Sequence, residues 1–130
     1  MSEKRFNLDE ANQLLPEVQD LLARIRLAVE GFEAERQSQG GKDQVAQPAT
    51  DTFVSWEYFR HVSSFHVAML RVREIGCEIK DVQKGLVDFP AVIEGVEGCL
   101  CWQEGEDRIR FWHRVEDGFD GRKPLPDESH

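Results

Sequence analysis

Gly85-Leu86-Val87-Asp88-Phe89-Pro90, then Leu100-Cys101-Trp102, then Arg110-Phe111-Trp112-His113: these three runs lie inside the stretch from Lys80 to Arg114 whose reading decides the fold. Apolar residues here follow the short, alternating rhythm of strands, and turn-like separators stand between them. Cys77–Lys80, Leu86–Phe89, Cys99–Trp102 and Arg108–His113 read as strands, divided by Glu94–Gly98 and by Glu104–Asp107. The last two form an antiparallel hairpin. The stretch also holds two of the three tryptophans and two of the three cysteines.

N-terminal to it the period changes to that of helices. Asn7-Leu8-Asp9-Glu10 has the form of a capping box, in which the Asn and Glu side chains each satisfy a free backbone N–H. From there to residue 37 the spacing predicts a helix, with a kink or restart at Pro16, which lacks an N–H and crowds the preceding turn. Val18, Leu22, Ile25, Val29 and Phe32 mark its apolar face. Residues 38–50, with Gly40-Gly41 and Pro48, read as a flexible connector. A second helix over 51–75 can be capped by Asp51 or Thr52, with a seam of Val54, Tyr58, Val62, Phe65, Met69, Val72 and Ile75, and Gly76 closes it. The two seams predict an antiparallel helical hairpin with coiled-coil-like spacing.

Helices segregated before strands give an α+β expectation: a single domain over 1–130, with a long antiparallel helical hairpin, a small antiparallel sheet over 76–114 and an irregular tail over 115–130. A hairpin and a small sheet cover one side of the helices more easily than both. A homodimer through the helices is therefore expected, with a further protein partner as an alternative occupant.

The charge balance of 16 basic against 25 acidic residues gives −9, which opposes both a nucleic-acid backbone and an anionic membrane surface. Nine basic and 12 acidic residues precede Gly76 and seven and 13 follow it, so no basic patch hides in the total. No apolar run approaches the roughly 20 residues of a membrane span, and no signal-like core opens the chain. A cytoplasmic protein with reduced thiols is the expectation, since Cys99 and Cys101, two residues apart on a strand at about 6.6 Å, make a poor disulfide pair.

Lys80-Asp81, Gly85–Pro90, Leu100-Cys101-Trp102, Trp112-His113 and Gly118-Phe119-x-Gly121-Arg122, together with Phe6 and Leu14-Leu15-Pro16, resemble an uncharacterised prokaryotic family catalogued as domain of unknown function 2203. The resemblance covers nearly the whole chain. It implies a small bacterial or archaeal protein of helices followed by a little sheet, and no activity.

Candidate chemistry concentrates late in the chain. Asp88 sits between Val87 and Phe89 on an apolar strand, where a buried acid needs a partner. His113 ends the last strand on the face of Phe111 and Ile109, able to ligate a metal, accept a proton or hydrogen-bond a carboxylate. Arg122 can grip a carboxylate or phosphate, or tie the tail down. Asp81, paired with Lys80 at a strand end, suits a turn cap. The candidate ligand-binding residues are thus Asp81, Asp88, Trp112, His113 and Arg122. A divalent metal would be held by Asp88, His113 and Glu104, with Glu106 or Asp117 adding oxygen. Cys99-x-Cys101 falls short of zinc-site spacing and reads as small buried hydrophobes. On the second helix Glu57 and His61 are four apart on one face, more simply a hydrogen-bonded pair than two metal ligands. No phosphate-cradling loop, nucleophile elbow or His-Glu-x-x-His run is present. The sequence therefore supports a binding or interaction module, with a metal-binding protein or metal-dependent enzyme around Asp88 and His113 as the alternative.

Overall fold

The computed structural model describes residues 4–38 and 56–126. Residues 39–50 of the expected connector, the first residues of the second helix with Val54 and its caps, and the extreme C-terminus lie outside them, whereas Ser38 ends the first helix. Two helices, α1 (Leu8–Ser38) and α2 (Trp56–Ile75), precede five strands: β1 (Glu78–Asp81), β2 (Leu86–Ile93), β3 (Val96–Gln103), β4 (Phe111–Arg114) and β5 (Lys123–Pro124). The strands form one antiparallel sheet in chain order. The fold is α+β, helices first.

The capping box forms at the start of α1. Asn7 Oδ1 accepts from Glu10 N–H at 2.8 Å, and Glu10 Oε1 accepts from Asn7 N–H at 3.0 Å. The helix then runs without interruption through Pro16. Glu17 binds Arg71, and Phe32 meets both Tyr58 and Phe65 edge-on, so the two helices lie antiparallel. On α1 the expected Val18, Leu22 and Ile25 are buried, joined by Leu21 and Ala28. On α2 the expected Val72 and Ile75 are buried, and Tyr58 and Phe65 face Phe32 of α1; Ala68 joins this face, whereas Val62 and Met69 at its margin are exposed.

The sheet presents Val87, Phe89, Leu100, Trp102 and Trp112 to the helices, in one core with Leu22, Ile25 and Val18. Phe6 packs edge-on against Phe89, and its N–H donates to Pro90 O at 2.8 Å. Pro90 is tolerated in β2 because β1 pairs only as far as Asp88, leaving that edge without a strand that needs its N–H.

Three strand expectations are corrected. The separator after β2 is only Glu94-Gly95, with φ of 52° and 81°, the two positive values of a type I′ hairpin; Val96–Gly98 belong to β3. Gly98 is a close-approach residue, since a Cβ there would lie 2.6 Å from His113 O. Ile109 precedes β4 and turns into the core, its N–H held by Asn12 Oδ1 at 2.9 Å, so it does not share the His113 face. The tail is not wholly irregular: β5 pairs with β4, and Leu125 N–H donates to Arg110 O. A two-residue strand containing Pro leaves no alternation to read.

Candidate metal centre

Because side chains alternate along each strand, β2, β3 and β4 send Asp88, Cys99, Cys101, Phe111 and His113 to the sheet face away from the helices. That face is not left to water. The chain returning from β4 places Val115, Gly118 and Phe119 over it, enclosing a cavity of about 230 Å³ that is also lined by Lys80 and Leu86. Under this cover Asp88 is 3% exposed and His113 2%, the two buried polar residues among those described.

Register sets the geometry. Asp88 pairs directly with Cys101, and Cys99 with His113, so the carboxylate, thiol and imidazole converge across three strands. One ligand atom from each of Asp88, Cys101 and His113 lies within 4.8 Å of the others. His113 Nε2 is 3.0 Å from Asp88 Oδ2, and Nδ1 is 2.8 Å from Arg114 O. A carbonyl oxygen only accepts, so Nδ1 carries a hydrogen and Nε2 is the atom turned to the cluster. A backbone carbonyl holding the far ring nitrogen is the usual support for a metal-ligating histidine. Two ligands about 2.0–2.1 Å from one tetrahedral zinc are roughly 3.4 Å apart, a few tenths of an ångström beyond the Asp88–His113 separation.

Burial, with the Asp88 charge added, pushes the Cys101 thiol up to about 12, and Arg122 opposes that rise. Without a bound cation Cys101 is a protonated thiol and a poor nucleophile. A cation would change this, because a coordinating thiol is deprotonated outright.

The other expected residues separate. Glu104 is not at the cluster: Arg26 of α1 binds it at 2.8 Å and also donates to Val82 O at 2.7 Å, holding the β1–β2 and β3–β4 connections against α1. Glu106 accepts Arg122 Nη2 on both oxygens at 2.9 Å and the Gln103 N–H at 2.9 Å, which ties it to the tail and to the end of β3. Asp117 packs beside Gly121. Asp81 caps its turn, Oδ1 accepting from Lys84 N–H at 2.9 Å. Trp112 points into the core, with Lys123 over its ring. Arg122 lies between the rings of Phe111 and Phe119, centroids at 4.2 and 4.7 Å, and its Nη2 reaches Cys101 O at 3.4 Å. It therefore flanks the cluster and ties down its cover. Of the expected set the structure unites Asp88 and His113, with Arg122 beside them. Cys101 is the residue that sequence reasoning assigned elsewhere, and the signal for it was the Glu94-Gly95 turn, which fixes Asp88 opposite Cys101.

A family model described as Uncharacterized conserved protein (DUF2203) matches residues 4–125. The chain belongs to that family. No curated protein and no solved structure matches it. Among the described residues no helix is long and apolar enough to cross a membrane. The cluster, β5 and the covering segment all lie within the matched span, so the DUF2203 region contains the whole candidate centre.

Proposed function

We propose that this DUF2203 protein binds a divalent metal through Asp88 Oδ2, Cys101 Sγ and His113 Nε2, with the remaining coordination position turned toward the cavity under Phe119. The observation that carries this reading is the convergence of three different ligand atoms within 4.8 Å at a fully buried position. A carboxylate, an imidazole and a thiol together suit zinc, a borderline-soft ion, better than manganese or magnesium, which take oxygen shells. Three protein ligands with a fourth position open describe a reactive or ligand-exchanging centre, whereas a closed four-ligand shell describes a structural one. Cobalt substitution tests the reading: the titrated protein acquires a thiolate-to-cobalt charge-transfer band that Cys101→Ser abolishes and Cys99→Ser retains. A spectrum showing only oxygen and nitrogen ligation, unchanged by Cys101→Ser, excludes the thiolate from the centre. The three cysteines are free, which supports placing the protein in the reducing cytoplasm.

A further inference from the structure

The walls of the cavity over Asp88, Cys101 and His113 differ in chemistry from its floor. Leu86, Val115 and Phe119 are apolar, and Lys80, with Glu78 beside it on the β1 edge, is the one lining residue that carries a positive charge. An irregularity in the ladder puts Lys80 there. Glu78 pairs with Asp88 and Ile79 with Val87, but the next pair is Asp81 with Leu86, so Lys80 is the extra residue of a β-bulge. Bulges re-aim a side chain and recur beside functional sites.

The Lys80 ammonium is available to a ligand. Its bond to Glu78, 2.8 Å long, joins side chains that are 52% and 62% exposed, and such a pair contributes little. Glu78, against an opposing effect of burial and with Asp88 adding, holds the Lys80 amine above its ordinary range. It is therefore charged at neutral pH.

Charge and size then select the occupant. A divalent ion held by the Asp88 carboxylate, the Cys101 thiolate and a neutral His113 forms a centre without net charge. An anionic fourth ligand makes that centre negative, and Lys80 offsets the excess. A carboxylate has two oxygens and can serve both cations at once. The cavity of about 230 Å³ has room for roughly eight non-hydrogen atoms, at about 30 Å³ for each water of the liquid. That is below the roughly 300 Å³ at which pockets for drug-sized molecules begin, and the apolar walls favour hydrocarbon over a second charge.

Given the metal centre proposed above, on which this rests, we infer that its open position takes the carboxylate of a small monocarboxylic acid. One oxygen binds the metal and the other faces Lys80, while a short apolar tail lies against Leu86, Val115 and Phe119.

The test titrates cobalt(II)-loaded protein with isovalerate, a branched acid of about the right size, and follows the visible cobalt bands. The bands shift saturably with isovalerate. Acetate, which lacks the tail, and isovaleramide, which lacks the charge, each bind at least tenfold more weakly. Lys80→Gln retains cobalt and its ligand-free spectrum but weakens isovalerate at least fivefold, and Phe119→Ala narrows the preference for isovalerate over acetate. Bands indifferent to isovalerate, equal affinity for the acid and its amide or for isovalerate and acetate, or an unchanged affinity in Lys80→Gln overturns the ligand assignment and leaves the metal centre standing. A protein that takes up no cobalt overturns both.

Discussion

Asp88 and Cys101 are direct cross-strand partners on β2 and β3, placed so by the two-residue turn Glu94-Gly95. The turn and the close approach at Gly98 make two different demands on glycine. Gly95 has φ 81° with open space around its Cβ position, so Gly95→Ala meets only the backbone strain of a left-handed alanine, about 1–2 kcal/mol. At Gly98 a Cβ would press on His113 O at 2.6 Å and on the Trp112 ring at 3.0 Å. Gly98→Ala therefore costs more than Gly95→Ala in urea unfolding, and it alone perturbs the imidazole environment of His113 in NMR spectra.

Asp88 Oδ2 and His113 Nε2 meet at 3.0 Å in a buried position. Removing one partner leaves a polar group without compensation inside the protein, so Asp88→Ala or His113→Ala each costs about 3–5 kcal/mol. The double variant costs less than the sum of the two, because neither residue is then orphaned. Additive losses in denaturant titration would show that the two groups do not depend on each other.

How much of this was legible in the residues differs from element to element. The capping box of Asn7 and Glu10, the two helices and the change of period after Gly76 are local, and local chemistry spells them out. The inner face of α2 was legible at Tyr58, Phe65, Val72 and Ile75 but not at its margin, where Val62 and Met69 are exposed and Ala68 is buried instead. Asp88 and His113 could be singled out as a polar pair in apolar strands. Cys101 could not be joined to them without the register of β2 on β3. Glu104 was misplaced for a related reason: its partner, Arg26, lies 78 residues away on α1.

That displacement of Glu104 has its own test. Arg26→Ala removes both the Glu104 pair and the bond to Val82 O, and should cost about 1–2 kcal/mol, since the guanidinium is only partly screened by solvent. Glu104→Ala should cost less and leave metal uptake unchanged. Loss of metal in Glu104→Ala would restore it as a ligand.

The thiols set the alkaline limit of stability in the metal-free protein. Burial raises Cys77 and Cys99 to about 11 and Cys101 to about 12 from an ordinary value of 9.0, with Asp88 adding to the last two. Above pH 9 the unfolded chain releases these protons while the folded chain keeps them, so the unfolded state binds fewer protons and stability falls as pH rises. The decline runs from about pH 9 to between 11 and 12, and it is absent below pH 8. Urea midpoints of the reduced, metal-free protein at pH 7 to 10.5 should show this slope, shallower in Cys77→Ala. A flat profile would mean the thiols are solvated.

Elemental analysis tests the central claim most directly, on protein purified without chelator or a nickel column. The parent should carry close to one equivalent of a divalent metal, zinc foremost, and Asp88→Ala, Cys101→Ala and His113→Ala should each lose it while Glu104→Ala and Cys99→Ala keep it. A parent that holds no metal, and whose thermal unfolding is indifferent to added zinc, iron(II) or cobalt, would contradict the centre and leave Asp88 and His113 as a structural pair.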